Sequence, residues 1–143
     1  MWLGKIIMSG QKMREKVTRM NEEYLNFGDF IAKKREAKKI TLREMAKRLD
    51  HSPPYLSDVE KDRRNPFDLA KLDLLASILM LSEDDKTIML NLAGKKRGEV
   101  APDIPEYIME RDYVSAALRT ARDLDAGEEE WLEFVKELKK RKE

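Results

Sequence analysis

The sequence predicts an all-α fold, and three observations carry that expectation. Apolar residues recur three and four positions apart in several stretches, as on one face of a helix. Hydroxyl residues precede such stretches with an acid three positions on, Thr41 with Glu44 and Ser82 with Asp85, the pattern of a capping box. Charge also follows the helix dipole: Glu128 to Lys142 opens on acids and closes on bases.

The chain has 143 residues, a length for one domain or for a small domain with an extension. With 40% charged and 41% hydrophobic residues, it can bury a small helical core and not a large one. There is no cysteine, which excludes a disulfide framework and cysteine-ligated zinc and fits a reducing cytoplasm. No apolar run approaches the length of a membrane span, so no membrane role is expected. The formal net charge of +1 conceals an asymmetry: residues 1–66 carry a net +6 and residues 67–143 a net −5. A basic front half and an acidic back half suit a head that meets an anionic polymer and a tail with another task.

Residues 1–19 stand apart. MWLGKIIM is apolar but short, and SGQKMREKVTR follows without a clean small-residue cleavage site. The stretch is expected to be an N-terminal extension or leader; the alternative is a basic arm, Gln11 to Arg19, that touches DNA or a neighbouring subunit. A first helix is expected over Asn21 to Lys39. Phe27, Phe30 and Ile31 share one face, with Lys33, Lys34, Lys38 and Lys39 opposite.

The chain is organised around Thr41 to Asn65. Thr41 caps a short helix whose stripe is Leu42, Met45, Ala46 and Leu49, with Arg43, Lys47 and Arg48 off the stripe. The Thr41 hydroxyl should take the Glu44 N–H and the Glu44 carboxylate reach back. Asp50-His51 is a polar turn. Ser52 caps the next helix, and Pro53 and Pro54 occupy its first turn, where no N–H is needed. Leu56 and Val59 are its buried positions, leaving Tyr55, Ser57, Asp58 and Lys61 outward or on the flank. Two helices this short must pack on others. The pattern is that of a helix-turn-helix, which lays its second helix in the DNA major groove.

From Phe27 to about Leu90 the chain resembles the lambda/434 repressor and Cro-like family, the xenobiotic-response-element transcription regulators. The matching signs are Arg35-Glu36 before Ile40-Thr41, the E-M-A-K-R-L run, S-P-x-Y-L-S-x-V-E, and R-R-N-P. The resemblance implies a five-helix lambda-repressor-like domain that binds operator DNA sequence-specifically, usually as a dimer. It implies a partly buried ion pair, Arg35 with Glu60, joining the first and third helices. Ser52, Pro53, Pro54 and Asp58 fall where family members read base edges. Lys61, Arg63, Arg64 and Asn65 fall on the phosphate-contacting loop, and Arg43 is a further phosphate candidate.

Three departures shape the expected readout. Leu42 stands where many members carry a glutamine and cannot hydrogen-bond to DNA. Pro53 and Pro54 offer no polar side chain. Asp58 is repelled by phosphate unless it accepts from cytosine N4. Base reading is therefore expected from Ser52, Tyr55, Ser57 and Asp58, with the prolines against thymine methyls. Asp50 stands where the family usually has glycine, and aspartate tolerates the left-handed conformation such a turn needs.

Asp68 to Leu81 should form a core helix through Leu69, Leu72, Leu74, Leu75, Ile78 and Leu81. Ser82 should cap a fifth helix with Ile88, Met89, Leu92 and Ala93 inward, stopped by Gly94. Lys95-Lys96-Arg97 then suits its dipole. The domain so defined spans 20–97, and 98–105, GEVAPDIP, is the linker. Residues 106–143 form the C-terminal helical extension. Glu106 to Arg111 is a short helical turn, Asp112 caps a run to Leu124, and Gly127 separates the last helix. Trp131, Phe134, Val135 and Leu138 make an apolar face that must be covered by the chain's own core, a second copy or another protein. A homodimer is favoured, because two heads match a palindromic site.

No catalytic constellation is found. His51 is the sole histidine and sits in the turn; there is no H-E-x-x-H, no phosphate-cradling glycine loop and no G-x-S-x-G. No enzyme activity, cofactor or metal is expected. The leading expectation is a repressor that binds double-stranded DNA. The rival is an antitoxin-like or protease-partnered interaction module, whose C-terminal helices hold a toxin or a metalloprotease and whose DNA binding is weak.

Overall fold

A computed structural model describes residues 23–142 together with Gln11, Lys12, Glu15 and Thr18. The leader or basic arm expected over 1–19 lies almost wholly outside the described residues. Among these, secondary structure is entirely helical, with eight helices between 27 and 140. They are α1 (Phe27–Ala37), α2 (Leu42–Arg48), α3 (Pro53–Glu60), α4 (Leu69–Ile78), α5 (Glu83–Arg97), α6 (Ile104–Met109), α7 (Asp112–Asp123) and α8 (Glu128–Lys140). The chain divides into two compact units, one spanning Glu22–Tyr107 and the other containing 108–143.

α1 starts later than its periodicity suggested, because Asn26 is the cap. Its Oδ1 accepts from the Asp29 N–H at 2.8 Å, and the Asp29 carboxylate accepts from the Leu25 N–H at 3.0 Å. That second bond, helped by Lys33 at 3.0 Å, holds the Asp29 carboxyl below its usual range against the opposing effect of burial. Phe27, Phe30 and Ile31 point into the core as expected. Lys34 does not belong to a free basic face: its Nζ lies 2.9 Å from the Asp85 carboxylate of α5.

The core of the first unit joins Phe27, Phe30 and Ile31 to Met45, Ala46 and Leu49 of the α2 region, and to Leu56 and Val59 of α3. Leu72, Leu75 and Leu79, with Ile88, Met89 and Ala93, close it from the other side. Leu74 departs from expectation at 42% exposure; Ala76 and Leu79 take the inward positions instead. α1 packs on α3 and on α5, and α2 on α3. Gly28 makes the first of these contacts possible. A Cβ there would meet the Glu60 and Val59 carbonyl oxygens at 2.4 and 2.5 Å.

Caps behave only in part as expected. Thr41 and Ser82 accept the N–H of Glu44 and Asp85, each at 3.1 Å. The acids turn elsewhere, Glu44 to Arg48 at 3.0 Å and Asp85 to Lys34. Asp50 takes the left-handed conformation at φ 58°, as the turn requires. Gly94 does not end α5; the helix runs on to Arg97, and Gly98 is its left-handed cap at φ 71°. Gly94 is instead a place of close approach, since a Cβ there would lie 2.5 Å from the Val100 carbonyl oxygen.

In the expected linker, α6 already claims Ile104 and Pro105. Asp112 is the first residue of α7 rather than its cap; Arg111 holds the cap position without a side-chain capping bond. No helix among the described residues is long and apolar enough to cross a membrane. α7 and α8 bury none of their residues. Trp131 and Phe134 meet edge to face at 6.2 Å while remaining 39% and 53% exposed. Leu138 is exposed beside them and Val135 half-buried.

Candidate nucleic-acid interface

The start of α3 is assembled from its own sequence. Ser52 Oγ accepts from the Tyr55 N–H at 3.2 Å, and Pro53 and Pro54 fill the first two positions without an orphan N–H to satisfy. Leu56 and Val59 anchor the inner face. The end of α3 is fixed by Arg35, whose Nε and Nη2 donate to the Glu60 carboxylate at 2.8 and 3.0 Å. Its Nη1 also donates to the Ile40 carbonyl at 3.0 Å, so one guanidinium ties α3 to the turn after α1. This is the ion pair that the family resemblance implied. The Glu60 hydrogen bond keeps the Arg35 pKa raised, against the opposing effect of burial.

Two open clefts flank α3. One is lined by Arg43, Lys47, Asp50, His51, Ser52, Pro53 and Tyr55. The other is lined by Tyr55, Arg63, Arg64, Asn65, Pro66, Lys96 and Arg97. Ser52 and Pro54 are exposed; Pro53, Tyr55, Ser57 and Asp58 are partly so. Lys61, Arg63, Arg64 and Asn65 are exposed after α3, and Arg43 is exposed on α2. Of the expected base-reading and phosphate-contacting residues, Arg43, Ser52 and Pro53 line the first cleft, Arg63, Arg64 and Asn65 the second, and Tyr55 both, while Pro54, Ser57, Asp58 and Lys61 line neither.

Two of the expected base readers are already engaged. Tyr55 stacks on His51 with centroids 4.5 Å apart and planes 10° apart, and the Arg64 guanidinium lies 4.8 Å over its ring. His51 in turn stacks on Phe67 at 5.2 Å, and Phe67 meets Phe27 of the core edge to face at 6.5 Å. The Tyr55 ring is therefore held by an aromatic chain that reaches inside. The Asp58 carboxylate lies 3.8 Å from Arg63 Nη1 and 3.7 Å from Arg64 Nε. It sits against the two arginines expected to meet phosphate, and it balances part of their charge.

Sequence reasoning missed His51 and Phe67 as supports of Tyr55, Lys47 as a cleft residue, and the position of Lys96 and Arg97. The first pair had a faint signal, a histidine four residues before a tyrosine near a helix start. Lys96 and Arg97 were legible only as a basic helix end. Their approach to residues 62–66 needs the fold.

Residues 31–85 match a family model described as helix-turn-helix, from within α1 to the first turn of α5. No curated protein and no solved structure gives a match. Helices α2 and α3 lie within this match, and the regular secondary structure of the described residues is entirely helical.

Proposed function

We propose that this helix-turn-helix domain makes the chain a sequence-specific DNA-binding transcription regulator, acting as a repressor from a palindromic operator. The observation that carries the reading is the placement of cations on both sides of α3: Arg43 and Lys47 in one cleft, Arg63 and Arg64 in the other. A major groove about 12 Å wide admits one helix and is bordered by two phosphate strands. Phosphate contacts then position the domain, while Ser57, Asp58, Tyr55 and the two prolines face base edges. Two copies joined through Trp131, Phe134, Val135 and Leu138 would supply one domain for each half of a palindromic site. Such a regulator works in the cytoplasm, with the DNA.

The exposed apolar face of α8 also supports a second reading, in which it holds a different protein such as a toxin or a metalloprotease and DNA binding is secondary. Binding of the purified protein to its own upstream DNA and to a scrambled duplex, at several salt concentrations, separates the two. A preference of about a thousandfold or more marks an operator-binding regulator. Arg63→Ala should then weaken both duplexes alike and lower the salt slope by about 0.9, whereas Ser57→Ala should change which sequence is preferred. Weak binding with no preference overturns the operator reading.

A further inference from the structure

We propose that the cleft between residues 62–66 and the end of α5 is a second phosphate-binding site for the DNA backbone, with Lys96 and Arg97 as donors beside Arg63 and Arg64. The inference rests on the DNA-binding reading and extends the contact surface beyond residue 85, where the family match stops.

Lys96 and Arg97 do more than close a helix. Cations in a last turn offset the negative end of the dipole from any rotamer that keeps them near it. These two reach across the fold instead. Lys96 Nζ lies 3.0 Å from the Asp62 carbonyl oxygen and 3.1 Å from its carboxylate, and Arg97 Nη2 donates to the Pro66 carbonyl. Lys95, on the same turn, does not line the cleft.

The tethers leave donors over. A guanidinium carries five N–H groups and an ammonium three, more than these contacts use. Asp58 approaches Arg63 and Arg64 at 3.8 and 3.7 Å, longer than a charge-assisted hydrogen bond. It orients the arginines without saturating them, so a phosphate oxygen can take its place. Four cations face two carboxylates, Asp58 and Asp62, so positive charge remains. The open form of the cleft suits a backbone strand laid along it.

The test is the salt dependence of binding by the full chain to the upstream duplex and to a scrambled one. Lys96→Gln and Arg97→Gln should each lower the slope of log affinity against log salt by about 0.9 and weaken both duplexes by the same factor. Lys95→Gln should leave slope and affinity unchanged. Asp62→Asn separates contact from scaffolding. It removes the carboxylate charge that pairs with Lys96 but keeps the cation and its bond to the Asp62 carbonyl, so a phosphate role leaves the slope at least as steep, while a structural role for the ion pair reproduces the Lys96→Gln loss. Wild-type slopes in Lys96→Gln and Arg97→Gln, or an Asp62→Asn that behaves like Lys96→Gln, overturn the inference while DNA binding stands. A wild-type protein that binds neither duplex removes the DNA reading and the cleft assignment with it.

Discussion

Arg35 and Glu60 are 13% and 9% exposed at the side chain, and two hydrogen bonds join them. Removing one partner strands the other's charge in a place water barely reaches. Arg35→Ala should therefore lower unfolding free energy by about 3 kcal/mol, measured in urea, whereas Arg35→Met with Glu60→Leu should recover much of the loss. A single-variant loss below about 1 kcal/mol would put the pair at the worth of an exposed one. This pair was legible because two charged residues at matching motif positions name each other. Tyr55 was legible only as an outward-facing ring. That it rests on His51 and Phe67, themselves linked to Phe27, depends on contacts that span more than one helix and leave no periodic trace. Asp58 shows the same limit. Its position in the motif pointed to a base, but the charges beside it are the arginines of the loop that follows α3.

At the scale of the helix, starts were easier to see than stops. A cap such as Thr41 or Ser52 bonds an N–H three residues away, so the sequence carries the whole interaction. A stop depends on where the chain goes next. Gly94 resembled a stop because glycine often follows a helix, yet it lies inside α5 so that Val100 can pass close to it. Gly28 plays the equivalent part between α1 and α3. Gly28→Ala puts a methyl group against the backbone carbonyls of Val59 and Glu60, which cannot rotate away. We expect a destabilisation of about 1–3 kcal/mol by thermal melting. Because the displaced element is the end of α3, operator affinity should fall more than non-specific affinity. Equal loss on both duplexes, or unchanged melting, would show that α1 and α3 separate without moving the outer face of α3.

Across the whole molecule, the all-α class and the helix-turn-helix domain were visible in the sequence, since short capped helices around a small core leave strong local signals. The role of α7 and α8 was not, because an apolar face says that something covers it and not what. If a second copy covers α8, light scattering should give a dimer at micromolar concentration. Trp131→Ala with Phe134→Ala should then give a monomer that keeps its fold but binds the operator more weakly. A wild-type monomer at high concentration would remove the homodimer and favour another protein on that face.

Four turns of the first unit hold a residue other than glycine in the left-handed conformation: Lys39, Asp50, Asp62 and Met80, with φ between 50° and 63°. For ordinary side chains this arrangement costs about 1 kcal/mol or more at each site. Lys39 and Met80 are exposed and lie away from both clefts, so glycine could replace either without disturbing the core. The domain therefore holds unused evolutionary slack. A lineage accumulating destabilising changes in α3 could restore its stability at these two turns, leaving the outer surface of α3 free to drift.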